Sequence, residues 1–318
     1  MKKFAKNAVK AGIIGTAAVF GIAEIAYESI LNVNFAGKVI ETFHLEDKKM
    51  MDVLLNHPVF TDAYEWFDAI AFDDIAIVDD KGETAHGYIL KQNEESKKWA
   101  ISVHGYRGEP RAQAPYARHL YEQGYNIVFP HMRAHACDTH KYCSMGYYEK
   151  DIILAWINYL VNMFPDCEIL LHGVSMGSAA VMMVTGEKLP ENVKCAVADC
   201  GYSSCWDEYA YEMKNAFHLP VFPLLHATNL ISKLRGNFDF KKADPKNAVA
   251  RSKTPTLFIH GTGDEFVPYS MLDVVYNACT AEKERLDVPD AVHAAAVAFD
   301  PDGYYSKMDQ FAAKYINS

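Results

Sequence analysis

Beyond residue 72 the apolar positions fall into short runs separated by longer amphipathic stretches, and that alternation organises the chain. Runs rich in β-branched and aliphatic residues cover Trp99 to Val103, Asn126 to Phe129, Glu168 to Leu171, Val193 to Val197 and Thr256 to Ile259. Helix-spaced apolar positions fill Ala112 to Gln123, Tyr148 to Met163, Gly177 to Glu187 and Met271 to Lys283. Strand and helix alternating at these distances predict βαβ units, hence an α/β fold with a mainly parallel sheet and helices on both faces. Upstream, Ile75 to Val78 and Thr84 to Leu90 flank an Asp/Gly cluster, the pattern of a hairpin. Before that, Met50, Val53, Leu54, Tyr64, Phe67 and Ile70 are spaced like an amphipathic helical pair interrupted at Pro58, a connector over residues 32–71.

One connection is out of step. About 55 residues separate the strand ending near Cys200 from the one beginning near Thr256, far more than a crossover needs, which predicts a helical cap over about 203–252 within a 72–318 domain. Leu219, Val221, Phe222, Leu224 and Leu225 cluster there around Pro220 and Pro223, suited to packing under the cap or to lining an acyl-binding cleft.

The N-terminus carries a different pattern. Lys2, Lys3, Lys6 and Lys10 precede the uncharged stretch Ala11 to Ala23, as in the basic and apolar regions of an export signal. Alone the stretch is too short to span a bilayer; continued to Leu31 it is long enough but must carry Glu24. Residues 1–31 are therefore a membrane anchor, a cleaved signal or a Gly/Ala-rich helix of a soluble protein. The first reading predicts membrane attachment with the catalytic domain outside the cell, the last a cytoplasmic protein.

Half of the 318 residues are apolar and 23% are charged, enough to bury a large core and incompatible with disorder. The net charge of -10 disfavours nucleic acid as a partner. Seven scattered cysteines, none in a C-x-x-C pair, read as reduced, mostly buried thiols, which favours a reducing compartment.

The chemistry concentrates where the strand from Glu168 runs into Gly173-Val174-Ser175-Met176-Gly177 and on into the helical Ala179 to Met182. A G-x-S-x-G sequence between strand and helix forms a sharp turn that lifts the serine above the sheet, with glycines where side chains would clash. Ser175 is the candidate nucleophile. A neutral serine needs a base, and the base needs an orienting carboxylate. Asp264, in His260-Gly-Thr-Gly-Asp264 after the strand at Thr256, is the candidate acid, and the later His293 is the candidate base. Asp199 is the reserve acid; His260 and His172 read as structural. The backbone N–H groups of Met176 and of Tyr106, in the loop His104-Gly-Tyr-Arg-Gly108, are the candidate oxyanion donors, with His104 bracing that loop. Arg107 is suited to a substrate carboxylate or to pairing with Glu109, and Trp206, Asp207 and Tyr209 stand near the start of the cap as candidate substrate contacts.

At HGYRG, GVSMG, HGTGDEFVP and the late His293, four motifs in order over roughly residues 70–318, the chain resembles the α/β-hydrolase superfamily. It is most similar to bacterial membrane-bound or cell-surface serine hydrolases of the serine aminopeptidase-like and esterase/lipase-like kinds. The N-terminal segment also looks like that of the membrane-bound subgroup. The resemblance implies a cofactor-free, metal-free serine hydrolase acting on a small-molecule ester or acyl substrate through an acyl-enzyme. Peptide and thioester substrates use the same triad. The chain departs from the family at Pro130-His131-Met132-Arg133-Ala134-His135-Ala136-Cys137, where a P-D-x-R-G-x-G turn is usual. That departure leaves room for a non-catalytic binding protein on the same fold. With His140 and Cys143 the stretch is dense in histidine and cysteine, but its spacing fits no standard zinc finger.

Overall fold

The computed structural model describes residues 2–43, 48–93 and 95–317. Eight strands form one sheet in the order β1-β2-β4-β3-β5-β6-β7-β8. They are β1 (Asp73–Val78), β2 (Thr84–Leu90), β3 (Lys98–Val103), β4 (Asn126–Pro130), β5 (Glu168–Val174), β6 (Val193–Asp199), β7 (Thr256–Gly261) and β8 (Lys283–Val288). The hairpin partners β1 and β2 pair antiparallel, as do β2 and β4; every later pairing is parallel. The central strands β4, β5 and β7 are buried along their whole length or nearly so, the signature of a sheet covered on both faces.

Thirteen helices are described: α1 (Lys2–Leu31), α2 (Val33–Phe43), α3 (Lys48–Asn56), α4 (Pro58–Asp68), α5 (Ala114–Glu122), α6 (Glu149–Met163), α7 (Met176–Thr185), α8 (Cys205–Asn215), α9 (Val221–Arg235), α10 (Pro245–Val249), α11 (Ser270–Ala278), α12 (Ala296–Phe299) and α13 (Pro301–Ala312). One core layer joins the sheet to α6, α7 and the α8–α9 segment; the other joins it to α4, α5, α12 and α13. Helices α8, α9 and α10 occupy the long connection between β6 and β7, which is where a cap was expected. Residues 32–71 carry α2, α3 and α4. Pro58 opens α4 at its first turn, where its missing N–H costs nothing, and Phe60, Ala63 and Phe67 bury one face of that helix. Residues 44–47 of the connector lie outside the described residues.

One expectation needs correction. The helix expected over Met271 to Lys283 is α11, which ends at Ala278, because Lys283 begins β8 and pairs with Thr256. The N-terminal helix continues to Leu31, and its last third packs on the body. Ala23, Tyr27 and Leu31, one helical stripe, are fully buried against the body, and α1 packs along α9. Glu24, the residue that made a span costly, is salt-bridged to Arg235 at the end of α9. Among the described residues no helix is long and apolar enough to cross a membrane. Phe20, Ile22 and Ile25 remain exposed on α1.

Candidate active site

The site is built at the C-terminal ends of β5, β6 and β7. Strand β5 ends at Val174, and the chain turns into α7 through Ser175, whose φ of 57° and ψ of -120° lie where L-residues are strained. The turn survives because its neighbours have no side chains. A Cβ on Gly177 would collide with the Val103 carbonyl, and one on Gly173 with the Gly177 carbonyl. The Ser175 N–H is held by the Asp199 carbonyl at 2.9 Å, which ties the elbow to β6.

From Ser175 a chain of hydrogen bonds runs inward. Ser175 Oγ lies 2.8 Å from His293 Nε2, and His293 Nδ1 lies 2.7 Å from Asp264 Oδ2. An ionised Asp264 accepts only, so Nδ1 carries the proton and Nε2 is left to accept from the serine hydroxyl. Asp264 is saturated with donors: its Oδ1 takes the N–H groups of Phe266 and Val267 at 3.0 and 2.9 Å, and its Oδ2 is also 3.2 Å from His260 Nε2. Burial opposes ionisation of Asp264. The charge of His293 and the hydrogen bonds from His260 and His293 outweigh it and bring the carboxyl down to about 2. The reserve acid is differently engaged. Asp199 Oδ2 accepts from Tyr304 at 2.9 Å, His172 Nε2 sits 3.1 Å from that same phenol, and burial pushes Asp199 up to about 6. Asp199 thus buttresses the elbow from below while Asp264 holds the histidine.

The β3 loop closes on the serine from the other side. A Cβ on Gly105 would come within 3.2 Å of Ser175 Cβ, so Tyr106 follows directly beside the nucleophile. Met176 opens α7, and its N–H has no intrahelical acceptor. Two histidines fix the loop. His104 Nδ1 contacts the Gly105 carbonyl at 2.9 Å and its Nε2 accepts from Met132 N–H at 3.3 Å. His135 Nδ1 donates to the Arg133 carbonyl at 2.7 Å and its Nε2 accepts from Arg107 N–H at 2.9 Å. Burial brings His104 down to about 3, so it stays neutral and can keep one accepting nitrogen. The sequence marks His104 as a brace; the part played by His135 depends on a contact with Arg107 that spacing does not reveal.

The departure at 130–137 has a structural answer. Ala134 and Ala136 have φ of 64° and 50°, so the turn keeps the left-handed backbone that glycines would adopt without strain. Its histidines and cysteines scatter: Cys137 Sγ meets His131 Nδ1 at 3.0 Å, His140 Nδ1 bonds Asp138 at 2.9 Å, and Cys143 is buried against the end of α1. Among the described residues, the grouping of three metal-type donors is Cys200 with Asp264 and His293, whose ligand atoms lie within 4.8 Å of one another. Asp264 and His293 are already bonded to each other there, and burial keeps the Cys200 thiol protonated.

The candidate substrate contacts are dispersed. Arg107 lines a cavity of about 590 Å³ with Asn34, Arg111, Asp138 and His140, whose lining does not include Ser175. Trp206 stacks edge-on against His226 beneath Lys241 in a separate cavity of about 240 Å³. Tyr209 is buried edge-on against Phe240, in the packing of the cap. Phe222 and Leu219 are exposed while Leu224 and Leu225 are buried, so the apolar cap segment divides between surface and core.

A model of the α/β-hydrolase fold matches residues 101–230. The uncharacterised protein YqkD of Bacillus subtilis is 25% identical over 234 residues, covering 72% of this chain and 76% of its own. Among solved structures, the Pyrococcus furiosus esterase Pf2001 aligns with a TM-score of 0.63 at 22% identity over 80% of this chain and 95% of its own. The Pyrococcus horikoshii acylaminoacyl peptidase aligns with a TM-score of 0.56 at 16% identity over 81% of this chain and 44% of its own. With the sheet order, the strained elbow and these likenesses in agreement, the chain has the α/β-hydrolase fold.

Proposed function

We propose that the protein is a serine hydrolase that cleaves carboxylic esters through an acyl-enzyme. The observation that carries this reading is the unbroken Ser175–His293–Asp264 hydrogen-bond chain at 2.8 and 2.7 Å. His293 Nε2 takes the proton as Ser175 Oγ attacks the ester carbonyl carbon. The carbonyl π pair moves onto oxygen, where the N–H groups of Met176 and Tyr106 receive it. Collapse expels the alcohol, which leaves with the proton from His293, and the acyl group stays on Ser175. Water repeats the sequence and releases the acid. Asp264, held ionised, keeps the imidazole in the tautomer that accepts from serine and stabilises the imidazolium.

A fluorophosphonate probe tests the reading. Wild type labels and Ser175→Ala does not; a folded wild-type protein that fails to label overturns it. A panel of p-nitrophenyl esters, anilides and thioesters then ranks the acyl chemistry. Ester hydrolysis predicts the highest kcat/KM on the esters, and a higher value on anilides replaces esterase by peptidase.

A further inference from the structure

Helix α8 leaves the end of β6 beside the nucleophile elbow and carries two glutamates one turn apart, Glu208 and Glu212. Glu208 is 3% exposed, and neither of its carboxyl oxygens has a hydrogen-bond partner among the described residues. The charged groups acting on it are Glu212 and Asp264. Those acting on the half-buried Glu212 are His293 and Asp264. No lysine or arginine is among either set, and the groups that do act on them are those of the triad and each other. Buried carboxyls in native proteins are ordinarily bonded or paired, because an unpaired one loses its hydration for nothing in return.

Resting on the serine-hydrolase reading of the site, we propose that Glu208 and Glu212 bind a cationic group of the substrate, so that the acyl part carries a primary ammonium a few atoms from the scissile carbonyl. The ladder of carboxyls leads from Asp264 and His293 outward along α8, so a substrate acylating Ser175 would place its acyl side chain against it. An ammonium brings three donors and a positive charge to a ladder whose buried member, Glu208, has no hydrogen-bond donor on either oxygen. Burial pushes Glu208 well above the usual carboxylate range and Glu212 up to about 7, the direction expected of carboxyls waiting without a cation. An uncharged acyl chain would leave them as they are.

The test compares the p-nitrophenyl esters of 3-aminopropanoate and butanoate, which differ by ammonium against methyl at one end. The readout is the ratio of their kcat/KM values, in which a general loss of activity cancels. Wild type should favour the ammonium ester by about tenfold or more, and Glu208→Gln, Glu212→Gln and the double variant should reduce that ratio towards one. Should a variant fail to fold, competitive inhibition of the wild type by 3-aminopropanamide against the isosteric butanamide reads the same preference. A labelled, active enzyme with no preference, or a preference that survives both substitutions, overturns the cation site and leaves the hydrolase intact. Failure of wild type to label at Ser175 overturns the hydrolase reading itself, and the site with it.

Discussion

Tyr106 and Ile30 lie 76 residues apart, and the phenol of the first donates to the carbonyl of the second at 2.7 Å. Ile30 is in the last turn of α1, where carbonyls have no intrahelical donor, so the bond caps the helix and ties it to the loop beside Ser175. Tyr106→Phe leaves that carbonyl without its donor. It should lower stability by about 1 kcal/mol and reduce kcat several-fold with little change in KM, because the Tyr106 N–H loses its alignment. Urea denaturation and steady-state kinetics check the two effects separately; unchanged kcat would detach α1 from the site.

Tyr27 separates docking from insertion. Its ring is fully buried between Tyr142 and Arg235. Tyr27→Ala should cost about 3 kcal/mol in a denaturant titration of the full chain. Arg235→Ala, which breaks partly exposed ion pairs with Glu24 and Glu28 and the contact with the Tyr27 ring, should cost less, about 1 kcal/mol. A negligible effect of Tyr27→Ala would mean that α1 does not rest on α9 in solution.

The two candidate acids should differ sharply. Asp264→Asn turns the His293 tautomer the wrong way and should lower kcat about 10³- to 10⁴-fold with the fold retained. Asp199→Asn touches Tyr304 and the elbow and should leave kcat within about tenfold. Equal losses would show that the histidine draws on both carboxylates.

Stability should respond to pH in two opposite ways. Glu212, raised to about 7 in the fold against about 4.3 in an unfolded chain, favours folding below pH 4.3, and that contribution is lost as pH rises towards 7. His104 and His172, lowered to about 3 by burial, stabilise above about 6.5, and that contribution is lost as pH falls towards 3. Glu212→Gln should therefore match wild type near pH 4 and exceed it at pH 8 by about 1 to 2 kcal/mol. Chemical denaturation across that range reads the difference, and a pH-independent offset would count against a Glu212 raised by its partial burial.

The left-handed alanines offer a stabilising change. Ala134→Gly relieves the φ of 64° and should raise stability by up to about 1 kcal/mol, offset in part by the greater freedom of glycine when unfolded. A loss of stability would mean that the Ala134 methyl contributes packing that outweighs the backbone strain.

What the sequence determined by itself was local in origin. The period of the apolar runs fixed the strands and the parallel crossovers, and the over-long link after β6 marked α8 to α10. The elbow was legible because strand, glycines and helix are contiguous around Ser175, and Asp264 and His293 because each sits in a loop directly after a strand. Tertiary structure decided the rest, since those relations join residues far apart in the chain. The stripe Ala23, Tyr27 and Leu31 reads alike in the sequence whether lipid or protein covers it, and its packing on the body is a property of the folded molecule. Arg107, Trp206 and Tyr209 stand near the site in the sequence, which says nothing of where a side chain turns. Glu208 looks like any surface glutamate of an amphipathic helix; its isolation became visible only when α8 was laid against the triad, because burial belongs to the packed molecule and not to the residue.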